Sequence, residues 1–215
     1  MEYALPTPTP LTGKSDLTFT ILLNGSRMPA TYQVASVETS SEHRQASHAE
    51  IVFYDGSAAA GHFDIADSED MRLGTRVEVL VGYQMFETAI FTGNIQQVSP
   101  RCSPNEASIL VVTVSGPTSE AKPDPGAAPV LQVTFGESIL SMNLQLNPMG
   151  GKRPDPTRVR GEVSFQGSTL ARPAKILELA GIGDRFDGPA FIGAVRHTIR
   201  DGEWTTFVTL GLPDD

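Results

Sequence analysis

The chain has a single cysteine, Cys102, so no disulfide can close within it. It lacks any apolar run near the ~18–20 residues of a membrane-spanning helix, which predicts no membrane span. Basic residues are in deficit: 16 Lys and Arg face 25 Asp and Glu, for a formal net charge of −9. That balance argues against a broad nucleic-acid surface, which needs clustered cations, and against docking on anionic lipid. Aromatic residues make up only 7% of the chain, which weighs against the exposed aromatic platform of a carbohydrate- or surface-binding module. The opening residues Met1–Pro8 have neither a basic segment nor an apolar one, so no signal peptide is expected and synthesis is expected in the cytoplasm. Helical periodicity is nearly missing, and only Ser57–Gly61 reads as room for a short turn.

What the chain does have is period-two alternation punctuated by glycine and proline. Leu17–Leu23, Tyr32–Thr39, Ala49–Tyr54, Arg76–Gly82, Ala89–Val98 and Ile109–Val114 read as strands, and Val130–Phe135, Ile139–Leu146, Arg158–Phe165, Ile176–Ala180, Ala190–Ile199 and Trp204–Leu212 read likewise. Asn24-Gly25 and Asp201-Gly202 mark tight hairpins. Ser40–Ser47 reads as a loop or an exposed strand end, and Asp64–Asp70 as a solvated acidic connector. Pro117, Pro123, Pro125 and Pro129 identify a linker. Four sequence blocks recur in the same order. Gly74–Gly82 matches Pro173–Gly181, Phe91–Ile95 matches Phe191–Val195, Val52–Gly56 matches Val163–Gly167, and Val112–Gly116 matches Phe207–Gly211. The expected fold is therefore all-β: two related antiparallel β-barrel modules at 15–116 and 130–215, an extended arm at 1–14, and a Pro-rich linker at 117–129.

Chemistry-bearing residues do not converge in the sequence. His43 and His48 lie near Glu42 and Glu50 without metal-ligand spacing and read as surface or interface histidines. Asp64, Asp67, Glu69 and Asp70 lack the ligand order of a calcium loop. No nucleophile elbow or phosphate-binding loop is present, and Cys102 reads as a bystander in a hairpin loop. No catalytic, cofactor or metal site is expected, and no cofactor. Four residues stand out as interface candidates. Trp204, after the Asp201-Gly202 turn, is either an interface anchor or a cross-strand cover. His197 is a packed or interface histidine. Lys152 and Arg153 lie in the Pro/Gly-rich tip Asn147–Pro156 of what reads as a long strand pair, a tip expected to contact a neighbouring subunit.

The segments Tyr32–Gly56, Leu73–Ile95 and especially Arg160–Trp204 resemble hub–spike proteins of contractile injection systems: the VgrG proteins, the phage late-control D proteins and the T4-type baseplate hub. Two parts of that pattern have no match here, the central α/β segment and the C-terminal needle. The resemblance implies a homotrimer, with two modules per chain arranged as a pseudo-sixfold ring between a hexameric inner-tube protein and a trimeric spike. It implies spike or spike-tip and other baseplate partners in a phage-tail-like or type VI secretion particle, which can be released from the cell. It implies a structural role and no enzymatic one. The alternatives are a carbohydrate- or surface-binding β module and a cell-wall hydrolase-associated hub.

Overall fold

Alternating residues become thirteen strands in a computed structural model that describes residues 7–10, 16–57, 61–148 and 155–211. They are β1 (Leu17–Leu23), β2 (Ser26–Arg27), β3 (Gln33–Glu42), β4 (Ala46–Tyr54), β5 (Arg76–Tyr83), β6 (Phe86–Arg101) and β7 (Ile109–Thr118), then β8 (Leu131–Thr134), β9 (Ile139–Leu146), β10 (Val159–Gln166), β11 (Ile176–Ala180), β12 (Gly188–Arg200) and β13 (Glu203–Leu210). The only helical element among the described residues is a 3₁₀ turn at Glu69–Met71. The candidate turn at Ser57–Gly61 falls partly outside those residues.

The sequence repeat reappears as topology. The first half runs β1-β5-β6-β7-β4-β3 across its sheet, and the second runs β8-β11-β12-β13-β10-β9. Strand for strand the orders correspond. The one difference of direction is that β1 lies antiparallel to β5 while β8 lies parallel to β11. Each half has its own core. Val37, Ile51, Phe53, Val77, Val79, Ile95 and Val112 are among the residues that fill the first, and Val133, Val163, Phe165, Leu177, Leu179, Ile192 and Val208 are among those that fill the second. The halves are not separate sheets. The C-terminal part of β12 pairs antiparallel with β3, from Ala194↔Glu42 to Arg200↔Ser36, so one sheet runs through both.

Three of the four repeat blocks are corrected by the faces of their strands. Matching Gly74–Gly82 to Pro173–Gly181 sets core-facing Val79 against Glu178. Matching Val112–Gly116 to Phe207–Gly211 sets core-facing Val114 against exposed Thr209. The third mismatch is on β4 and β10. Ala49, Ile51 and Phe53 point into the first core, and Val159, Val163 and Phe165 into the second. Matching Val52–Gly56 to Val163–Gly167 opposes core-facing Phe165 to Tyr54, which is 51% exposed. An odd offset turns every side chain to the wrong face, and moving one place to put Phe53 with Phe165 restores the agreement.

Several connections are more ordered than their composition suggests. Ser40–Ser47 is mostly ladder, because β3 and β4 continue to a tight turn in which Arg44 has φ 62°. Glu69–Met71 and its approach fold against the first barrel, burying Ile65 and Met71, while the Asp55 carboxylate accepts the Ile65 and Ala66 backbone N–H groups at 3.1 and 3.0 Å. That stretch is thus a packed cover as well as an acidic connector. β7 continues to Thr118, two residues into the proline-rich stretch, and Ser119 is held by the Arg44 N–H at 3.0 Å. The β9–β10 pair is not unusually long, at 8 residues each; β6 and β12 are longer, at 16 and 13. Part of the arm is also fixed. The Gln132 N–H on β8 donates to the Pro8 carbonyl at 2.7 Å, and Pro10 is buried.

Candidate interface

The β12–β13 hairpin belongs to the second barrel at its base and to the first at its tip. Val195 and Val208 pack in the second core, whereas Ile199 and Trp204 pack in the first. The tight turn that makes this possible has Asp201 at φ 53° and Gly202 at φ 76°, the type I′ pattern that Asp-Gly favours. The hairpin therefore enters the first barrel beside β3 and fills a gap in its wall.

Trp204 anchors the joint. Its side chain is buried, its ring stacks on Tyr83 with centroids 5.4 Å apart, and its indole N–H donates to His197 Nδ1 at 3.3 Å. Gly167 at the end of β10 is what admits the ring, since a Cβ there would fall inside the indole. Because an indole N–H can only donate, His197 Nδ1 must be an acceptor and the imidazole is neutral with its proton on Nε2. The Thr206 hydroxyl lies 3.0 Å from the same nitrogen and itself accepts the Ser168 N–H. Burial pulls the His197 pKa down to about 4, since a charged ring there would be desolvated. Burial also raises that of Tyr83. At the other end of the joint the His43 N–H donates to the Gly193 carbonyl at 2.9 Å, and His43 is buried rather than displayed on the surface. Arg196 and Glu38 meet across the seam at 3.5 Å, but they are too exposed to add more than ~1 kcal/mol.

Trp204 and His197 are thus brought together, at the seam between modules within one chain. His48 lies on the exposed face of β4. Lys152 and Arg153 lie outside the described residues. Among the described residues no group of three or more His, Cys, Asp or Glu could hold a metal, and no helix is long and apolar enough to cross a membrane.

Composition did not reveal a second feature, open sheet edges on β9 and on β6. Among the described residues β9 pairs only with β10. Its register places Met142 opposite Val163 and Leu146 opposite Val159, so both side chains face the second core; yet they are 37% and 40% exposed. The other edge is on β6. Its N-terminal part pairs with β5 as far as Asn94, and the opposite side pairs with β7. Beyond Ile95 the β5 side of β6, Gln97–Arg101, has no ladder partner among the described residues. The signal for both lay in strand-by-strand comparison of the two copies, not in any single motif.

Comparison with known proteins agrees with this architecture. The profile of the Alg8 N-terminal domain matches residues 14–121 and 154–201. A search of curated proteins finds no match. Among solved structures, a tail protein from Neisseria meningitidis MC58 superposes with a TM-score of 0.61 at 10% identity, covering 92% of this chain and 96% of that one. The 43 kDa tail protein of prophage MuSo2 from Shewanella oneidensis gives 0.61 at 9% identity, covering 94% and 98%. An E. coli component of the type VI secretion system, itself similar to the T4 bacteriophage tail proteins gp27 and gp5, gives 0.53 at 9% identity, covering 91% and 77%. The fold is that of phage and type VI secretion tail proteins.

Proposed function

The chain belongs to the family of the Alg8 N-terminal domain, and we propose that it is a structural hub of a contractile injection machine, joining a hexameric inner tube to a trimeric spike. The observation that carries this reading is the paired topology: two modules with one strand order, fused by a sheet that runs through both. A chain with two similar modules yields six similar units when three copies surround an axis, and such a ring meets sixfold symmetry on one side and threefold on the other. The tail-protein folds it superposes on support the same reading.

In this reading the chain works through interfaces and performs no catalysis. Its partners are two further copies of itself, the tube protein, a spike or spike-tip protein and other baseplate components. It is made in the cytoplasm and built into a phage-tail-like particle. Trp204 and His197 hold the angle between modules, and therefore the curvature of the ring. The 117–129 linker passes between barrels, and Lys152 and Arg153 reach a neighbouring subunit.

Light scattering from the purified chain tests the central point. A mass three times that of the 23.0 kDa chain is expected, and a monomer at high concentration would overturn the hub reading. Deleting Gly150–Pro154 should weaken assembly, and unchanged assembly would remove Lys152 and Arg153 from the interface.

A further inference from the structure

We infer that β9 of one protomer receives, along its open edge, the β6–β7 hairpin of a second copy of the chain, repeating between chains the joint that β3 makes with the β12–β13 hairpin inside one chain. Counterpart strands carry the argument. In the shared strand order β3 corresponds to β9, and the β12–β13 pair to β6–β7. Within the chain, β3 is paired along its outer edge by β12. Its counterpart β9 has no partner there among the described residues. β12, for its part, projects beyond β11 to reach β3. Its counterpart β6 projects beyond β5 in the same way and reaches no ladder partner among the described residues. The chain holds one completed joint and both unmatched halves of another.

Side-chain size agrees with this pairing. The completed joint sets small residues on the receiving strand, Val37 and Thr39, against large ones on the hairpin, Ile199 and Trp204. In the second barrel the receiving strand carries the large residues, Met142 and Leu146, and the free part of β6 carries smaller ones, Pro100 and Val98, the latter already partly buried against the first core of its own chain. Either distribution fills a barrel wall of similar thickness. Met142 and Leu146 already point inward, so a covering hairpin would bury them without turning them. An exposed apolar edge of this length otherwise invites unspecific pairing. The other side of the gap is partly taken, since the arm residue Pro8 is bonded to β8. That leaves the β9 side for the second copy.

The inference deepens the trimeric hub reading and rests on it for the ring, though the joint itself needs only a second copy. By the intrachain pairing the hairpin tip lies at the start of the receiving strand, where Arg200 meets Ser36. Exposed Cys102, at the tip of the β6–β7 hairpin, should therefore fall near the start of β9. A Leu140→Cys variant, oxidised as the assembled full-length protein, is expected to form an interchain disulfide. Leu146→Cys, at the far end of β9, should not, and adding Cys102→Ser to Leu140→Cys should abolish the link. Separately, Met142→Lys with Leu146→Lys should weaken self-association by at least ~10-fold while leaving the circular dichroism of the monomer intact. A threefold mass with no Cys102-dependent link would overturn this joint and leave the hub standing. A link with a mass other than threefold would keep the joint and sink the trimer. Folded lysine variants that assemble normally would overturn the joint outright.

Discussion

The two barrels share a strand order and differ in how they close. The first is finished by residues borrowed from the second: Ile199 and Trp204 enter between its strands, and Val37 on the adjoining strand is fully buried. The second borrows nothing from the first, and inward-facing Met142 and Leu146 on its matching strand remain more than a third exposed. A duplicated module therefore does not yield two equal domains. It yields one satisfied barrel and one with an unfilled side, and the inequality leaves the chain with a surface to offer.

The largest effect should come from emptying the first barrel. Trp204→Ala removes the plug, its stacking on Tyr83 and the hydrogen bond to His197, and should cost about 3–5 kcal/mol in denaturant unfolding. Loss of less than ~1 kcal/mol would mean that the first barrel does not depend on the borrowed hairpin.

Acid should act on the same seam. The native His197 pKa of about 4 lies below the ordinary value of 6.5, so the unfolded chain binds the proton first as pH falls. The stability owed to the neutral ring is whole above pH 6.5, declines between 6.5 and about 4, and is lost below that, by an amount on the order of 3 kcal/mol. Carboxylates titrate in the lower part of the window, so the measurement is the difference between the parent and His197→Gln. The variant should be less stable at neutral pH and should show a flatter decline from pH 6.5 to 5. Parallel curves would remove the histidine from the joint.

Gly167→Ala should follow, at about 1–3 kcal/mol, because the added methyl meets the indole ring and must displace it. Combining it with Trp204→Ala should recover much of that loss, since the ring it collides with is gone. Simple additivity would mean that the glycine serves some purpose other than admitting the tryptophan.

The strands were legible because nearly every one carries its own alternation. Leu17–Leu23 and Ile176–Ala180 were bounded to the residue from pattern alone, and a strand around Ile139–Leu146 was placed by it. The repeat was legible because four blocks kept their order. Its phase in three of those blocks was not, because valine, leucine, phenylalanine and glycine recur at spacings that fit either face of a strand, and only burial decides between them. Trp204 and His197 stood out by type, yet no local pattern says that one hairpin serves two cores. That follows from the pairing of β3 with β12, residues more than 150 positions apart in the pairing of Glu38 with Thr198. Ser40–Ser47 left a loop and a strand end open because serine, histidine and glutamate look like loop composition, and the strand-end reading holds for Ser40–Glu42 and Ala46–Ser47, where β3 and β4 continue.

The smallest effect is the most direct measure of the difference between barrels. Val37 and Met142 occupy matching strands, β3 and β9, and both side chains point inward. By residue type alone methionine, the larger, should lose more on truncation. By burial the order reverses. Val37 is fully enclosed, so Val37→Ala removes two carbons from a sealed site and should cost about 1–3 kcal/mol. Met142 is still 37% exposed, so Met142→Ala in the dilute, unassembled chain should cost less than ~1 kcal/mol. Raising the protein concentration should leave the Val37→Ala loss unchanged. It should enlarge the Met142→Ala loss, because a covered β9 makes that side chain part of a core, and stability gained by association depends on concentration. A Met142→Ala loss that stays constant from dilute to concentrated protein would show that the second barrel is complete in the single chain, and the contrast between the two halves would then vanish.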